Sequence, residues 1–290
     1  MEDNALQGGR QSGGGRGRGG KKGGGGGGGQ GREVQISKAL SRLLRHQAEN
    51  AGIKLDDAGF APLDKVLAYG PLKSLKVTVE DIQEAVSSSD KQRFSLKPNP
   101  ETNPSLSTTS TSASDYLIRA NQGHSIKLES SATLTPITLT EPDTIPSCVL
   151  HGTYYAFWPA IIEAGGLKKM NRNHVHCSTG TPEEGVVSGM RKDAELVIEI
   201  DITKSLEEGL VWWKSENGVI LSEGDENGLV SSKYFKEVRG RTQDVGVLWQ
   251  DGTWRQDLPE GITIKVPFGK NAQGGRGQGQ KRGRGGKGGS

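Results

Sequence analysis

Arginine and histidine side chains that could bind phosphate stand at three separate points of the chain. Arg45 and His46 are adjacent, Arg119 opens an Arg-Ala-Asn-Gln-Gly-His segment, and Arg172 lies in an Asn-Arg-Asn-His-Val-His segment. Guanidinium groups grip phosphate oxygens through two parallel hydrogen bonds and stabilise the charge that develops during phosphoryl transfer. A single arginine at a helix end is more often a solvated charge, but the four side chains together predict a phosphate-binding site.

A second candidate site is the tripeptide His151-Gly152-Thr153, which follows an apolar run. It offers an imidazole, a glycine that permits close backbone approach, and a hydroxyl, which together suit the ribose or pyrophosphate of a nucleotide. For such a tripeptide alone, a tight turn with a hydrogen-bonded histidine is the commoner explanation. All five histidines of the chain nevertheless lie in these motifs or beside this glycine turn, and that distribution favours function.

Metal sites and Rossmann-type sites are not predicted. His174 and His176 alternate on a predicted strand and face one way, with Cys177 on the opposite face. Zinc would need a third and a fourth ligand, and no Cys-x-x-Cys, His-Glu-x-x-His or carboxylate partner stands nearby. No G-x-G-x-x-G follows a strand and no P-loop occurs, so a bound dinucleotide requires a different fold.

The elements that must position these motifs fall into two groups. In the first group, apolar residues at helical spacing predict an amphipathic helix over 37–50, which carries Arg45 and His46 in its last turns and stops at Gly52. Further short elements are predicted as helices at about 63–68 and from Thr78 onward, and as strands at 93–96 and 116–119. This succession indicates a winged-helix-like module.

The second group predicts an α+β unit built on an antiparallel or mixed sheet. A helix follows His-Gly-Thr and runs to Ala164, where Gly165-Gly166 closes it. Asn217-Gly218 is a strong hairpin signal between its flanking strands. The strands predicted in this group are 148–150, 175–177, 196–200, 211–213 and 219–221.

Composition divides the chain further. Glycine supplies 44 of the 290 residues, mostly in Gly/Arg-rich tails that cannot bury apolar surface, so these tails are predicted to be disordered. They either hold nucleic acid loosely through its phosphates or act as solubilising extensions. The predicted divisions are a tail at 1–33, a first lobe at 34–130 with a flexible insert at 97–114, a linker at 131–146, a second lobe at 147–268 and a tail at 269–290.

Charge is distributed unevenly between the tails and the remainder of the chain. The residues up to Arg32 carry six basic and two acidic side chains, and those from Lys270 onward carry six basic and no acidic ones, so the tails together carry +10. Because the whole chain carries +3, the part between them carries −7. Any anion site there must be created by local arginines and not by bulk positive charge.

Cysteine usage and hydropathy indicate where the protein is located. Two cysteines without paired ligand spacing fit a reducing compartment. No apolar run approaches the roughly 20 residues of a membrane span, and the N-terminal sequence lacks the apolar region of a signal peptide. We therefore expect an intracellular, monomeric protein of the nucleus or cytoplasm without a membrane partner.

Five motifs in succession resemble those of the tRNA 2′-phosphotransferases. They are Leu-Ser-Arg-Leu-Leu-Arg-His (40–46), Ile-Arg-Ala-Asn-Gln-Gly-His-Ser-Ile (118–126), His-Gly-Thr (151–153), Gly-Gly-Leu-Lys-Lys-Met-Asn-Arg-Asn-His-Val-His (165–176) and Gly-Met-Arg-Lys-Asp-Ala (189–194). The resemblance covers about 37–240, apart from the insert and the linker, and leaves 242–268 unmatched. It implies an N-terminal winged-helix-like RNA-binding lobe and a C-terminal lobe like the NAD-binding fold of ADP-ribosyltransferases.

The same resemblance implies a two-step reaction on 2′-phosphorylated tRNA, with NAD+ as co-substrate and without a metal. The RNA 2′-phosphate attacks the anomeric carbon of the nicotinamide ribose and expels nicotinamide, and the ribose 2″-hydroxyl then attacks that phosphate. The products are 2′-hydroxyl RNA and ADP-ribose 1″,2″-cyclic phosphate. An ADP-ribosyltransferase that stops after the first step and a non-catalytic RNA-binding protein are the alternatives.

The resemblance also assigns roles to individual residues. The family's phosphate-handling set matches Arg45, His46, Arg119 and Arg172. NAD+ contacts carry over to His151, Gly152 and Thr153, with His174 and Arg191 as further candidates. The expected RNA contacts are Asn121, Gln122, His124 and Ser125.

Overall fold

The computed structural model describes residues 28–264 and 266–267, and the predicted disorder of 1–27 and 269–290 lies outside this part of the chain. The described residues form an α+β structure with short helices and four antiparallel sheets, as the sequence predicts. Their apolar side chains form two main cores, one drawn from residues 36–126 and the other from 137–248. Within the described residues no helix is long and apolar enough to cross a membrane.

The helix that leads to the first motif begins earlier than predicted. Helix α1 spans Gly28–Arg42, so residues 28–33 of the predicted tail are helical. Arg32 accounts for this extension, because its guanidinium donates to the Leu75 carbonyl at 2.5 Å and pairs with Asp81 at 2.6 Å. The chain then continues as a π-helical turn, Leu43–Gln47, and a 3-10 turn, Glu49–Ala51, before the left-handed Gly52.

The rest of the first core combines three short helices with a three-stranded antiparallel sheet. The helices are α2 (Leu63–Leu67), α3 (Gly70–Ser74) and α4 (Val79–Ser87), and the strands are β1 (Ala61–Pro62), β2 (Phe94–Pro98) and β3 (Tyr116–Ala120). The sheet order is β1-β3-β2. The sequence pattern predicted all of these elements except β1 and α3.

The predicted insert, 97–114, begins inside the sheet, because Lys97 and Pro98 pair with β3. After residue 98 the chain forms no α-helix or strand until β3, and a 3-10 turn precedes that strand. The Asn99 side-chain amide and the Thr102 hydroxyl donate to the Ser114 carbonyl at 3.1 and 2.6 Å, which closes this segment into a loop. Its flexibility stays a prediction.

The second core is shared by a four-stranded and a five-stranded antiparallel sheet. The first contains, in order, β4 (Thr135–Ile137), β9 (Trp212–Lys214), β10 (Ile220–Ser222) and β7 (Val175–Cys177). The second contains β14 (Thr253–Trp254), β13 (Val247–Gln250), β12 (Phe235–Gly240), β8 (Leu196–Ile200) and β5 (Leu150–Thr153). A bridge between Leu150 and Ser178 joins the two sheets. The remaining elements are α5 (Ser130–Thr133), α6 (Trp158–Glu163), α7 (Ile202–Glu207) and the paired strands β6 (Gly166–Lys168) and β11 (Leu229–Ser231).

Two expectations for this half of the chain need correction. The predicted linker, 131–146, supplies β4, which pairs with β9 and places Ile137 in the second core. His-Gly-Thr lies inside β5 and not after it. The unmatched segment 242–268 supplies β13 and β14. The predicted helix end at Gly165 and the hairpin at Asn217-Gly218 are confirmed.

Loss of the capping box at the start of α4 should destabilise the first core. Thr78 Oγ1 accepts the Asp81 N–H at 3.3 Å, and the Asp81 carboxylate accepts the Thr78 N–H at 2.9 Å. We expect Thr78→Ala to lower the free energy of unfolding in urea by about 1 kcal/mol. Ser74→Ala removes an exposed hydroxyl that only bonds back to Gly70 and should change it by less than about 0.5 kcal/mol. Equal unfolding midpoints for the two variants would show that the cap contributes nothing.

Candidate functional site

The π-helical turn places the first motif directly against the second. Leu43 and Leu44 are fully buried in the first core, so Arg45 and His46 lie on the outer side of the turn. The Arg45 carbonyl accepts backbone N–H groups from Ser125 at 2.9 Å and from Ile126 at 3.3 Å. These bonds fix the position of the Asn-Gln-Gly-His-Ser segment relative to the Arg45 backbone.

The Arg45 guanidinium is a largely buried cation with unused donors. Its Nε and Nη2 atoms are buried and have no hydrogen-bond partner among the described residues. Burial, together with repulsion from Arg172 and Arg93, lowers the pKa of Arg45 to about 10. The guanidinium lies against Gly123, where a Cβ would sit 3.6 Å from Nη1. Buried donors without acceptors are rare in folded proteins, so this arrangement suits a bound anion.

Arg172 and Arg191 extend the positive charge from Arg45 into the second half of the chain. Partial desolvation of the Arg172 guanidinium and repulsion from Arg191 lower the pKa of Arg172. Arg45 and Arg93 belong to the same region, because the charges of Arg93 and Arg172 both act on Arg45. None of the four arginines forms an ion pair with a carboxylate in the described part of the chain. We call Arg45, Arg93, Arg172 and Arg191 the arginine cluster.

Arg119, which the sequence assigned to phosphate handling, is engaged elsewhere. Its Nη2 pairs with the Glu216 carboxylate at 2.8 Å, and its Nη1 donates to the Ala58 carbonyl at 3.2 Å. The guanidinium also stacks over the Phe60 ring at 4.8 Å. Arg119 therefore ties β3 to the hairpin loop that carries Glu216. Its buried Nε has no partner among the described residues, and its charge contributes to the low pKa of His124 in the cleft.

Arg93 is the cation that the sequence reasoning missed. Its one side-chain hydrogen bond is a long contact to the Ser89 hydroxyl at 3.3 Å, and its charge depresses the pKa of Arg45. The Arg93 carbonyl accepts the Asn121 N–H at 3.0 Å, so strand pairing carries Arg93 to the Asn-Gln-Gly-His segment. Nothing in the local sequence around Arg93 marks it; knowledge of the β2–β3 register would have been needed.

The Asn121–Ser125 segment bridges the two halves of the molecule. Asn121 is buried and donates to the Gln92 carbonyl at 2.9 Å, which makes it part of the scaffold. On the other side, the Asn173 N–H donates to the His124 carbonyl at 3.0 Å and its side-chain amide donates to the Ile126 carbonyl at 2.8 Å. The cleft at this junction is lined by Gln122, Gly123, His124, Ser130, Asn173 and His174, among others.

The surroundings of His46 and His124 lower the pKa of both imidazoles. Burial, followed by repulsion from Arg45 and Arg172, lowers the pKa of His46, whose Nδ1 lies 2.9 Å from the Ser125 hydroxyl. Burial and then the Arg45 charge lower the pKa of His124 to about 4, and its buried Nε2 has no partner among the described residues. His124 can therefore offer a neutral nitrogen to a ligand in the cleft.

His151 and His176 form a second pair of neutral imidazoles. His151 Nδ1 donates to the His176 carbonyl at 2.9 Å, and His176 Nδ1 donates to the His174 carbonyl at 3.0 Å. Because each Nδ1 carries the proton, each Nε2 is left as an acceptor. Burial lowers both pKa values, that of His176 strongly.

Gly152 and Thr153 take a more structural part than the sequence suggested. A Cβ at Gly152 would lie 2.4 Å from the Met190 side chain and 3.0 Å from that of Ala194, so packing, and not ligand approach, requires glycine here. Thr153 is buried. Of the other predicted NAD+ contacts, Arg191 lies 3.4 Å from the Tyr154 hydroxyl, and His174 Nε2 lies 3.0 Å from the Ser130 hydroxyl.

The described residues contain no group of three or more His, Cys, Asp or Glu side chains that could hold a metal ion. The candidate site has three parts: the arginine cluster with His46, the cleft with His124, and the pair His151 and His176.

Comparison with known proteins identifies the family. A model described as RNA 2′-phosphotransferase, Tpt1/KptA family, matches residues 31–224. The chain belongs to this family. The zebrafish (Danio rerio) tRNA 2′-phosphotransferase 1 is 38% identical over 212 residues, which are 72% of this chain and 87% of that protein. The human protein of the same name is 38% identical over 72% of this chain and 76% of its own length. The Saccharomyces cerevisiae tRNA 2′-phosphotransferase is 39% identical over 66% and 79%.

The depressed pKa of His124 should make stability fall in acid. Because its folded-state pKa is about 4 and its ordinary value is 6.5, the unfolded chain takes up a proton first as the pH drops. The contribution of neutral His124 to the free energy of unfolding is therefore fully present above about pH 6.5. As the pH falls toward 4, up to about 3 kcal/mol of that free energy is lost. We expect His124→Gln, which cannot titrate, to show a smaller fall in urea unfolding free energy between pH 7.5 and 4.5. Parallel curves for the two proteins would contradict this assignment.

Proposed function

We propose that this protein transfers the splice-junction 2′-phosphate of tRNA to NAD+, giving 2′-hydroxyl RNA, nicotinamide and ADP-ribose 1″,2″-cyclic phosphate. Family membership and the tRNA 2′-phosphotransferase names of its relatives support the RNA part of this proposal. The observation that supports it most directly is the buried Arg45 guanidinium, whose donors are unused and whose neighbours are cations. A phosphate dianion would satisfy those donors and offset that charge.

In the first step the 2′-phosphate is already nucleophilic, so positioning it is the main requirement. Arg45, Arg172 and Arg93 would hold its oxygens and aim one of them at the ribose carbon. The bond from that oxygen to the anomeric carbon forms as the bond to nicotinamide breaks. The arginine cluster thus adds Arg93 to the phosphate-handling set that the sequence predicted, whereas the contacts of Arg119 with Glu216 and Ala58 favour a positioning role for Arg119.

In the second step the ribose 2″-hydroxyl attacks the phosphorus, and the bond between phosphorus and the RNA 2′-oxygen breaks. The attacking hydroxyl gives up one proton and the leaving oxygen takes up one, so the step is balanced. Charge then builds on the phosphate oxygens, where arginines stabilise it, and a proton must reach the leaving oxygen. His46 suits this task, because the Ser125 hydroxyl engages Nδ1 and leaves Nε2 available to donate a proton. A bound dianion raises the pKa of His46 again, so the imidazole can hold the proton that it then donates.

The NAD+ co-substrate would lie along β5 and β7. The neutral His151 and His176 offer Nε2 acceptors that suit ribose hydroxyls, while Arg191, beside Tyr154, offers a cation that suits the pyrophosphate. His174 lies near this strand edge, and Gly152 and Thr153 support it by packing. RNA would contact Gln122, His124 and Ser125, with Asn121 as scaffold.

The main alternative is an ADP-ribosyltransferase that stops after the first step. The arginine cluster favours the complete reaction, because charge stabilisation is needed most when the phosphate is transferred a second time. Incubation of the full chain with a 2′-phosphorylated oligonucleotide, with and without NAD+, separates the possibilities. Cyclic phosphate product supports the proposal, stable ADP-ribosylated RNA supports the alternative, and unchanged RNA that still binds indicates a non-catalytic protein.

Substitution of Arg93 should affect catalysis far more than substitution of Arg119. We expect Arg93→Ala to reduce the single-turnover rate about 100 to 1,000-fold, since it removes a preorganised donor to developing charge. Arg119→Ala, a matched loss of one guanidinium, should change the rate by less than about tenfold, like Glu216→Gln, which loosens the same tie. If the single-turnover rate of Arg119→Ala were as low as that of Arg93→Ala, while Glu216→Gln kept the parent rate, Arg119 would belong to the phosphate site.

His46→Ala should separate the two steps. If its proton reaches the leaving RNA oxygen, the second step slows more than the first, and ADP-ribosylated RNA accumulates early in a gel-resolved time course. General acid catalysis is typically worth about 100 to 10,000-fold, enough to make a short-lived species visible. Equal slowing of both steps without this species would remove His46 from proton transfer.

A further inference from the structure

Arg191 sits on an irregular loop, 189–194, which is pressed against β5 and β7. A Cβ at Gly189, whose φ is +89°, would lie 2.5 Å from the Cys177 carbonyl oxygen. The Met190 and Ala194 side chains fill the space above Gly152. Both ends of the loop are therefore packed on the strands that carry His151 and His176, whereas Arg191 itself is exposed between them.

The Arg191 side chain makes only loose contacts that could fix its direction, among the described residues. Its guanidinium lies 3.4 Å from the Tyr154 hydroxyl and 5.9 Å from the centre of that ring, which are loose contacts. A long, exposed side chain of this kind is positioned mainly by the backbone that carries it. The loop backbone is therefore the part of the structure that determines where the Arg191 charge lies.

One buried guanidinium holds that backbone. Arg241, which directly follows β12, donates from Nε to the Ala194 carbonyl and from Nη2 to the Lys192 carbonyl, both at 2.6 Å. Its Nη1 pairs with the Glu183 carboxylate, and the side chain is only 5% exposed. The Arg241 backbone N–H adds a bond to the Glu195 carbonyl at 2.8 Å. The two loop carbonyls on either side of Asp193 thus share one rigid, planar partner.

We propose that Arg241 is a positioning residue for NAD+ use, because it holds the 189–194 loop so that Arg191 meets the co-substrate; this inference rests on the proposed function. Arg241 does not touch the reacting groups. Lysine cannot replace it fully, because an ammonium lacks the planar fork that reaches two carbonyls and a carboxylate together. Arg239 provides a matched control: it lies on β12 and is exposed, and among the described residues its one ion-pair partner is Glu237 at 2.8 Å.

Kinetics of the full chain test this role. For Arg241→Ala we expect the KM for NAD+ to rise about tenfold, the effect of losing charge-assisted bonds to the loop. The KM for a 2′-phosphorylated oligonucleotide should stay within about twofold, because the proposed RNA contacts Gln122, His124 and Ser125 are untouched, and kcat should fall by a smaller factor than the KM for NAD+ rises. The KM for NAD+ of Arg241→Lys should lie between those of the parent and Arg241→Ala, and that of Arg239→Ala should equal the parent value. An equal rise in the KM for RNA, or a loss in Arg239→Ala of the same size, would overturn the proposal.

A double variant shows whether Arg241 acts through Arg191. The double variant Arg191→Ala, Arg241→Ala should have a KM for NAD+ no higher than that of Arg191→Ala alone, since the loop then has no Arg191 charge to position. If the double variant instead raised the KM for NAD+ by the product of the two single effects, Arg241 would act independently of Arg191. That result would refute the proposal that Arg241 acts through Arg191.

Amide hydrogen exchange tests the clamp without any turnover. The amides of 190–194 should exchange faster in Arg241→Ala than in Arg239→Ala, with the first core unchanged. Unchanged exchange at 190–194 would refute the clamp by itself. Absence of NAD+-dependent turnover in the parent protein would instead refute the proposed function, and the NAD+ part of this inference with it.

Discussion

Repulsion among arginines that have no carboxylate partner is the constraint on which the site depends. Burial of the Arg45 guanidinium and then the like charges of Arg172 and Arg93 raise the free energy of the folded state, and together they lower the pKa of Arg45 to about 10. Burial of Leu43 and Leu44 behind the turn, and the backbone bonds from Ser125 and Ile126, offset this cost. A dianionic ligand would relieve the repulsion and fill the unused donors, so the feature that disfavours the empty site favours phosphate.

The arginine cluster also depends on how the two cores are joined. Asn173 bonds to the backbone of the His124 segment, the Asn217 side-chain amide donates to the Lys91 carbonyl at 2.8 Å, and Arg119 pairs with Glu216. These contacts are polar and depend on distance and angle, so they fix an orientation that apolar burial alone would leave loose. Arg119 shows that a cation beside a functional loop can serve to align the halves, and its assignment to phosphate handling stays a prediction.

The histidines divide according to what occupies their Nδ1 atoms. His151 and His176 donate from Nδ1 to backbone carbonyls, which fixes the tautomer, while burial lowers both pKa values and favours the neutral rings. His46 faces a hydroxyl instead, which can donate or accept, so its ring can change protonation when charge arrives. Under the proposed function, the neutral pair suits the uncharged sugar hydroxyls of the co-substrate, and His46 suits the phosphate.

The sequence by itself determined the features that near neighbours decide: the capping box at Thr78, the hairpin at Asn217-Gly218, the strand at 196–200, the α+β class and the five motifs. Caps, turns and alternation depend on residues a few positions apart, so a single chain reveals them. Only the tertiary structure decided that helix α1 begins at Gly28, that β4 belongs to the second core and that Gly152 accommodates Met190. It alone also brought Arg93 near Arg45 and paired Arg119 with Glu216, because ion pairing and strand register join residues that are far apart in the sequence.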